Sequence, residues 1–285
     1  MVDNELKALV SLLDEPNELN YINIQNRIFS YGVEIIPVLE EVWENSFDEL
    51  IQARVENIIH TINFNYIQSE LVIWRETDNE NLLNGFILVS KYHYPDLNID
   101  NIIEKINLIK KDIWLEINPN LTALEQVKVL NHVFFDIHNF KSNRDNPNAF
   151  NFLFINNLLE TKKGTPLSLG ILYLVLAQSL HLPVYGVDLP QNFILAYTKT
   201  RKTITKQDIL FYINPFNKGI VFSIREVDLF IKQMNLDFNS EYYLPCSNSK
   251  ILILILKAMK STFLKDVDNK RTEEVNSLID ILLKI

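Results

Sequence analysis

The sequence predicts an α+β fold, mostly helical, with a small antiparallel sheet behind one buried helix. Three observations predict it. Apolar residues recur at helical spacing through the first 160 residues. Residues 167–180 are apolar on nearly every face, which marks a central, buried helix. Alternating, β-rich runs follow Pro183, and helical spacing returns at Ser223. Glycine is scarce, with 6 in 285 residues, so turns rest on Asn and Pro and favour helices over hairpins.

The elements follow in order. Leu6, Leu9, Val10 and Leu13 share one helical face, and Asp14-Glu15-Pro16-Asn17 ends the run. A second helix runs to Ser30, before Gly32. A third holds Ile35, Ile36, Leu39, Val42 and Trp43. Ser46-x-x-Glu49 reads as a capping box opening a fourth, with Ile51, Val55, Ile58, Ile59 and Ile62. Four amphipathic helices on short loops make two stacked hairpins that resemble HEAT-type units; a plain helical bundle is the competing reading. Residues 80–92 form a helix ending at Tyr94-Pro95. Asp100 caps one through Leu115, and Thr122-x-x-Glu125 caps one to about Ile137. Residues 139–147 read as a polar loop, and a short helix precedes Gly164. Thr165 suits an N-cap and Pro166 the first helical position, where its missing N–H is no loss. Strands are expected over 184–187, 193–198 and 209–213, the last two joined by a hairpin loop over 199–208. Ser223-x-x-Glu226 starts a helix to about Met234. Helices near 249–264 and 272–283 close the chain as one hairpin resembling a TPR unit. Three regions result: helical hairpins over 1–64, a core over 65–236 and a helical hairpin over 237–285.

Charge and composition exclude several functions. Hydrophobic residues make up 47% and charged residues 22%, an ordinary globular composition. Lys and Arg number 27 against 36 Asp and Glu, a net charge of −9. An acidic chain without a basic run argues against a nucleic-acid partner and against a basic membrane-surface helix. One cysteine allows neither an internal disulfide nor a Cys-based zinc cage. The longest aliphatic run, Ile251 to Leu256, falls far short of the roughly 20 residues that span a bilayer. The opening MVDNELKALV lacks the layout of a secretory signal, so a soluble, cytoplasmic protein is expected. No Gly-rich phosphate loop is present, and no cofactor is implied.

The segment KGTPLSLGILYLVLAQSLHLPVYGV from Lys163 is followed by LPQNFILAY, then YINPF, then PCSN around Cys246. These motifs resemble the transglutaminase-like superfamily, and within it the bacterial SirB-type branch, over roughly residues 80–262. The resemblance implies a papain-like core. It also fits HEAT-like helices ahead of that core and a TPR-like hairpin behind it. In active members of the superfamily a Cys starts the buried helix, a His lies on the next strand and an Asp on the one after. The helix N-terminus lowers the thiol pKa, the His acts as base and the acid orients the imidazole. Carried over residue by residue, those positions fall at Pro166, Asn192 and Asn214. A proline has no nucleophilic atom. An amide neither takes a proton near neutrality nor stabilises an imidazolium. The resemblance therefore implies a pseudoenzyme whose three catalytic positions are substituted. Asn192 and Asn214 are expected on neighbouring strands, turned toward the helix start and close enough to bond directly or through water. The competing expectation makes both ordinary turn residues beside Pro190 and Pro215.

Rival sites are few. Ser168 stands two residues past Pro166 and would need a base; its alternative role is in the helix first turn. Cys246 follows Pro245 before a helix and is either a reactive thiol or a buried one. Ser168 and Cys246 remain the candidate alternative nucleophiles for an enzyme of the cysteine-protease or acyl-transfer class. His132 and Asp136 share a spacing of four, but two ligands do not complete a metal site. The aromatic group Phe134, Phe135, Phe140, Phe150, Phe152 and Phe154 reads as core. The leading expectation is a non-catalytic binding or scaffolding module that meets protein partners through its helical hairpins. No pattern sets an oligomeric state.

Overall fold

A computed structural model describes residues 8–200 and 204–284. The chain packs as two compact units, Met1–Val72 and Ile73–Ile285.

In the first unit, α1 (Glu18–Phe29) is capped by the Asn17 side chain, which accepts from the Leu19 and Asn20 amides. A 3₁₀ turn (Gly32–Ile35) leads into α2 (Ile36–Asn45), and α3 (Glu49–Thr77) starts in this unit and runs past its end at Val72. Val10, Leu13, Tyr21, Ile28, Leu39, Val55, Ile58 and Ile62 close one core. Leu6, expected on the same face, lies outside the described residues. Arg54 ties the helices locally: its Nη1 donates to the Leu13 and Glu15 carbonyls at 2.6 and 2.9 Å, and its guanidinium lies 4.0 Å from the Tyr21 ring centre. The Ser46 box is corrected. Asp48 Oδ1 accepts from the Leu50 and Ile51 amides and is the cap, while Ser46 Oγ only takes the Asp48 amide. A carboxylate adjacent to the first turn reaches the open N–H groups that Ser46, two residues further out, does not. The expected boundary at residue 64 falls inside the uninterrupted α3.

The second unit begins with α4 (Leu82–His93) and α5 (Ile99–Glu116). The α5 cap is Asn98, whose side chain accepts from the Asn101 amide; Asp100 sits in the first turn instead. The Thr122–Glu125 box opens α6 (Ala123–Asn131), and a π-helical turn (His132–Ile137) continues it. The expected loop at 139–147 contains a strand, β1 (Lys141–Ser142), paired in parallel with β2 (Lys163–Gly164) across α7 (Ile155–Thr161). The buried helix α8 (Pro166–Ser179) is hidden from Ser168 to Ala177. Behind it β3 (Val184–Leu189), β4 (Asn192–Thr198), β5 (Ile209–Asn214) and β6 (Ile220–Phe222) pair antiparallel in that order. The strand β6 was not expected from sequence, being three residues long. Helix α9 (Ile224–Gln233) opens at the Ser223–Glu226 box. Helices α10 (Asn248–Lys265) and α11 (Asn269–Leu283) pack on each other, and α10 also packs on α4 and α8. The hairpin expected at 237–285 thus belongs to the same compact unit as the core.

The sheet has two distinct faces. One lies on α8, where Phe193 fills the space left by Gly170; a Cβ there would stand 2.5 Å from Phe193 Cδ1. On the other, Val187, Leu189, Ile194, Ala196 and Tyr212 pack with Val227 and Ile231 of α9 and with Tyr243. A partly buried polar link joins α6, α8 and the turn before β6. The Tyr173 hydroxyl donates to Asn131 Oδ1 at 2.9 Å, and Asn131 Nδ2 donates to the Gly219 carbonyl at 2.9 Å. Among the described residues, no helix is long and apolar enough to cross a membrane.

Candidate functional site

The start of α8 is built as a closed cap. Thr165 Oγ1 accepts from the Ser168 amide at 3.1 Å, and Ser168 Oγ accepts from the Thr165 amide at 2.9 Å. Pro166 occupies the first helical position, where no N–H is required. The Ser168 hydroxyl donates to the Phe152 carbonyl at 2.6 Å and is fully buried. Its proton and its lone pair are both engaged by backbone. No histidine lines the adjoining cavity, which is about 400 Å³ in volume and includes Thr165, Pro166, Asn192, Phe193, Ser261 and Lys265. Asp188 also lines that cavity, but the Ser168 hydroxyl is committed to the Phe152 carbonyl and the Thr165 amide.

Asn192 and Asn214 lie on adjacent antiparallel strands, as the first residue of β4 and the last of β5. Leu195 pairs with Ile213, so both asparagines fall on the Ile194 face by alternation. That face packs against α9, while Phe193 takes the position facing α8. Asn192 nevertheless lines the Pro166 cavity. The two amides do not bond each other directly. Asn214 Oδ1 instead accepts the Asn217 amide at 3.2 Å and caps the turn after β5. Its proline neighbour explains this: Asn-Pro starts a turn, and the short side chain then serves the backbone locally. Asn192 makes no side-chain hydrogen bond among the described residues.

Cys246 lies against β3. Its amide donates to the Gly186 carbonyl at 2.9 Å and its thiol to the same oxygen at 3.3 Å. Burial, seconded by the nearby Asp188 carboxylate, pushes the thiol up to about 12. Such a thiol stays protonated and unreactive near neutrality. The His132 ring Nδ1 and Asp136 Oδ2 meet at 3.2 Å on the surface, and His138 Nε2 lies 2.8 Å from Asp112 Oδ2. Among the described residues, no group of three or more His, Cys, Asp or Glu is placed to hold a metal ion. Of the expected aromatic core, Phe134, Phe135, Phe140 and Phe154 are buried, while Phe150 and Phe152 are half-buried; Phe134 stacks on Phe140 with centres 4.5 Å apart, and Phe150 meets Phe154 edge-on at 5.1 Å.

One set of residues escaped the sequence reading. Lys141, Arg144, Lys163 and Lys218 surround a second concavity of about 400 Å³. They are separated in sequence and converge only through the β1–β2 pairing and the turn before β6, so no local run signals them.

Residues 100–257 match the family described as the transglutaminase-like superfamily. The chain is similar to F-box only protein 21 of Mus musculus, 28% identical over 181 residues that make up 55% of this chain and 28% of that protein. It is similar to a UPF0162 protein of Buchnera aphidicola, 30% identical over 191 residues, covering 66% of this chain and 65% of that one. It is also similar to protein SirB1 of Salmonella typhimurium, 23% identical over 195 residues, covering 67% and 70%. The match spans little more than a quarter of the F-box protein and just under two thirds of the Buchnera protein. No solved structure matches the chain.

Proposed function

Because the chain belongs to the transglutaminase-like superfamily, we propose that it is a non-catalytic member, a cytoplasmic binding or scaffolding module and not an acyl-transfer enzyme. One observation carries the reading. Where the superfamily's chemistry calls for a nucleophile at the start of the buried helix, Pro166 stands, and the neighbouring Ser168 hydroxyl is spent on the Phe152 carbonyl. Beside Pro166, Asn192 carries an amide that neither accepts a proton nor holds a charge near neutrality, while Asn214 serves the turn after β5. Cys246 offers no substitute, since burial keeps its thiol protonated. The binding half of the proposal rests on the helical hairpins at either end of the sequence, whose exposed faces suit protein segments.

Incorporation of a dansyl amine into casein, together with casein hydrolysis, tests the catalytic half. The expected result is no turnover above the protein-free rate. Turnover that disappears in Ser168→Ala or Cys246→Ala would overturn it. For the binding half, affinity capture from the native cell with cross-link mapping is expected to place a protein partner on the hairpins of residues 1–64 or 237–285. Reproducible absence of a cross-linked partner would remove it.

A further inference from the structure

The parallel pair of β1 and β2 sets Lys141 directly opposite Lys163. Like charges directly opposed across a strand pair destabilise it. Two more cations face the same space. Arg144 follows β1, and Lys218 occupies a left-handed position, at φ 51°, in the turn before β6. Among the described residues, none of the four forms an ion pair. Arg144 is positioned by neutral groups only: its Nε donates to Ser142 Oγ at 3.3 Å and its Nη2 to Asn217 Oδ1 at 3.2 Å. Asp145 is the one carboxylate on the lining. Four positive charges against one negative charge reverse the sign locally in a chain whose net charge is −9.

We propose that this concavity binds a small phosphorylated metabolite, with the phosphate held by Lys141, Lys163, Lys218 and Arg144. The chemistry fits a compact dianion. A guanidinium presents a planar fork to phosphate oxygens, and ammonium groups act as point charges around it. An anion between Lys141 and Lys163 also removes their mutual repulsion, which the free protein leaves uncompensated. A volume of about 400 Å³ suits a small molecule. The cations ring one hollow and do not line a stripe, which separates the site from a backbone-tracking nucleic-acid surface. It shares no lining residue with the Pro166 cavity, so it stands or falls independently of the non-catalytic reading.

Calorimetric titration of the full chain with inorganic pyrophosphate and with a sugar phosphate tests the proposal. Both are expected to bind saturably, and Lys141→Gln or Lys163→Gln to weaken binding about tenfold or more, since each removes a charge-assisted contact. Added salt should weaken binding as well. The melting temperature supplies a second readout on the same exposed residues. Without ligand, Lys141→Gln should melt above the parent protein, because the opposed charge is gone. Pyrophosphate should raise the melting temperature of the parent and not of the Lys141→Gln, Lys163→Gln double variant. No pyrophosphate binding, equal affinity in the variants, or an unchanged melting temperature for ligand-free Lys141→Gln would overturn the site. Binding confined to a phosphoserine peptide would overturn the assignment to a small molecule.

Discussion

At the scale of single residues, the scarcity of glycine leaves a mark on the backbone. Asn139, Lys162, His181, Gln191, Lys218, Asn235 and Val267 all take positive φ, a region that favours glycine. Asn tolerates it through local hydrogen bonding, but a β-branched side chain does not. Val267, at φ 58° in the turn between α10 and α11, is also 75% exposed and so gains little from packing. Val267→Gly should therefore stabilise the protein by about 1 kcal/mol, the left-handed penalty less the extra freedom of the unfolded chain. A urea denaturation midpoint that falls in this variant would refute the assignment of strain. Gly219 shows the converse. It combines φ 66° with an Asn131 side chain 1.9 Å from where a Cβ would stand, so the turn before β6 has room for no other residue.

At the scale of elements, Phe193 between α8 and the sheet is accommodated by two missing side chains, at Gly170 and at Gly186, where a Cβ would stand 2.6 Å from Phe193 Cζ. Gly170 lets Phe193 approach the helix closely, and a methyl group there would meet the ring at 2.5 Å. Gly170→Ala should destabilise by about 1 to 3 kcal/mol, the cost of overpacking a tight core contact. Equilibrium unfolding measures this, and an unchanged midpoint would mean that the ring has space to move. Much at this scale was legible in the sequence. The boxes at Thr122 and Ser223, and the Thr165-Pro166 start of α8, are local chemistry, and each forms. At Ser46 a stronger neighbouring acceptor, Asp48, took the role. The β1–β2 ladder and β6 were not legible, because pairing partners 22 residues apart leave no periodicity in strands of two or three residues. For the same reason the α8 start could be located from sequence while the basic hollow could not. Alternation along β4 was readable too, but not which face of the sheet α8 would cover; that depends on Gly170 and Phe193 meeting.

At the scale of the whole molecule, buried ionisable groups set an alkaline limit. Burial raises Tyr92, Tyr173 and Tyr212, and pushes Tyr243 and Cys246 up to about 12, from ordinary values of 10.0 for phenols and 9.0 for the thiol. The folded chain thus holds these protons at a pH where the unfolded chain releases them. Stability is fully present below about pH 9 and is lost as pH climbs through the window toward 12. Urea midpoints should hold near neutrality and drop from about pH 9 upward, and Cys246→Ala should delay the onset. A midpoint flat to pH 11 would contradict this. The bond from the Cys246 amide to Gly186 has another consequence. A four-stranded sheet has two outer flanks, each able to recruit a strand from a second molecule and seed a growing fibre. On the β3 flank the passing chain already occupies the Gly186 carbonyl. On the other flank, β6 offers three residues, too few to template a lasting ladder. The molecule is thereby guarded at both flanks against polymerising through its own sheet.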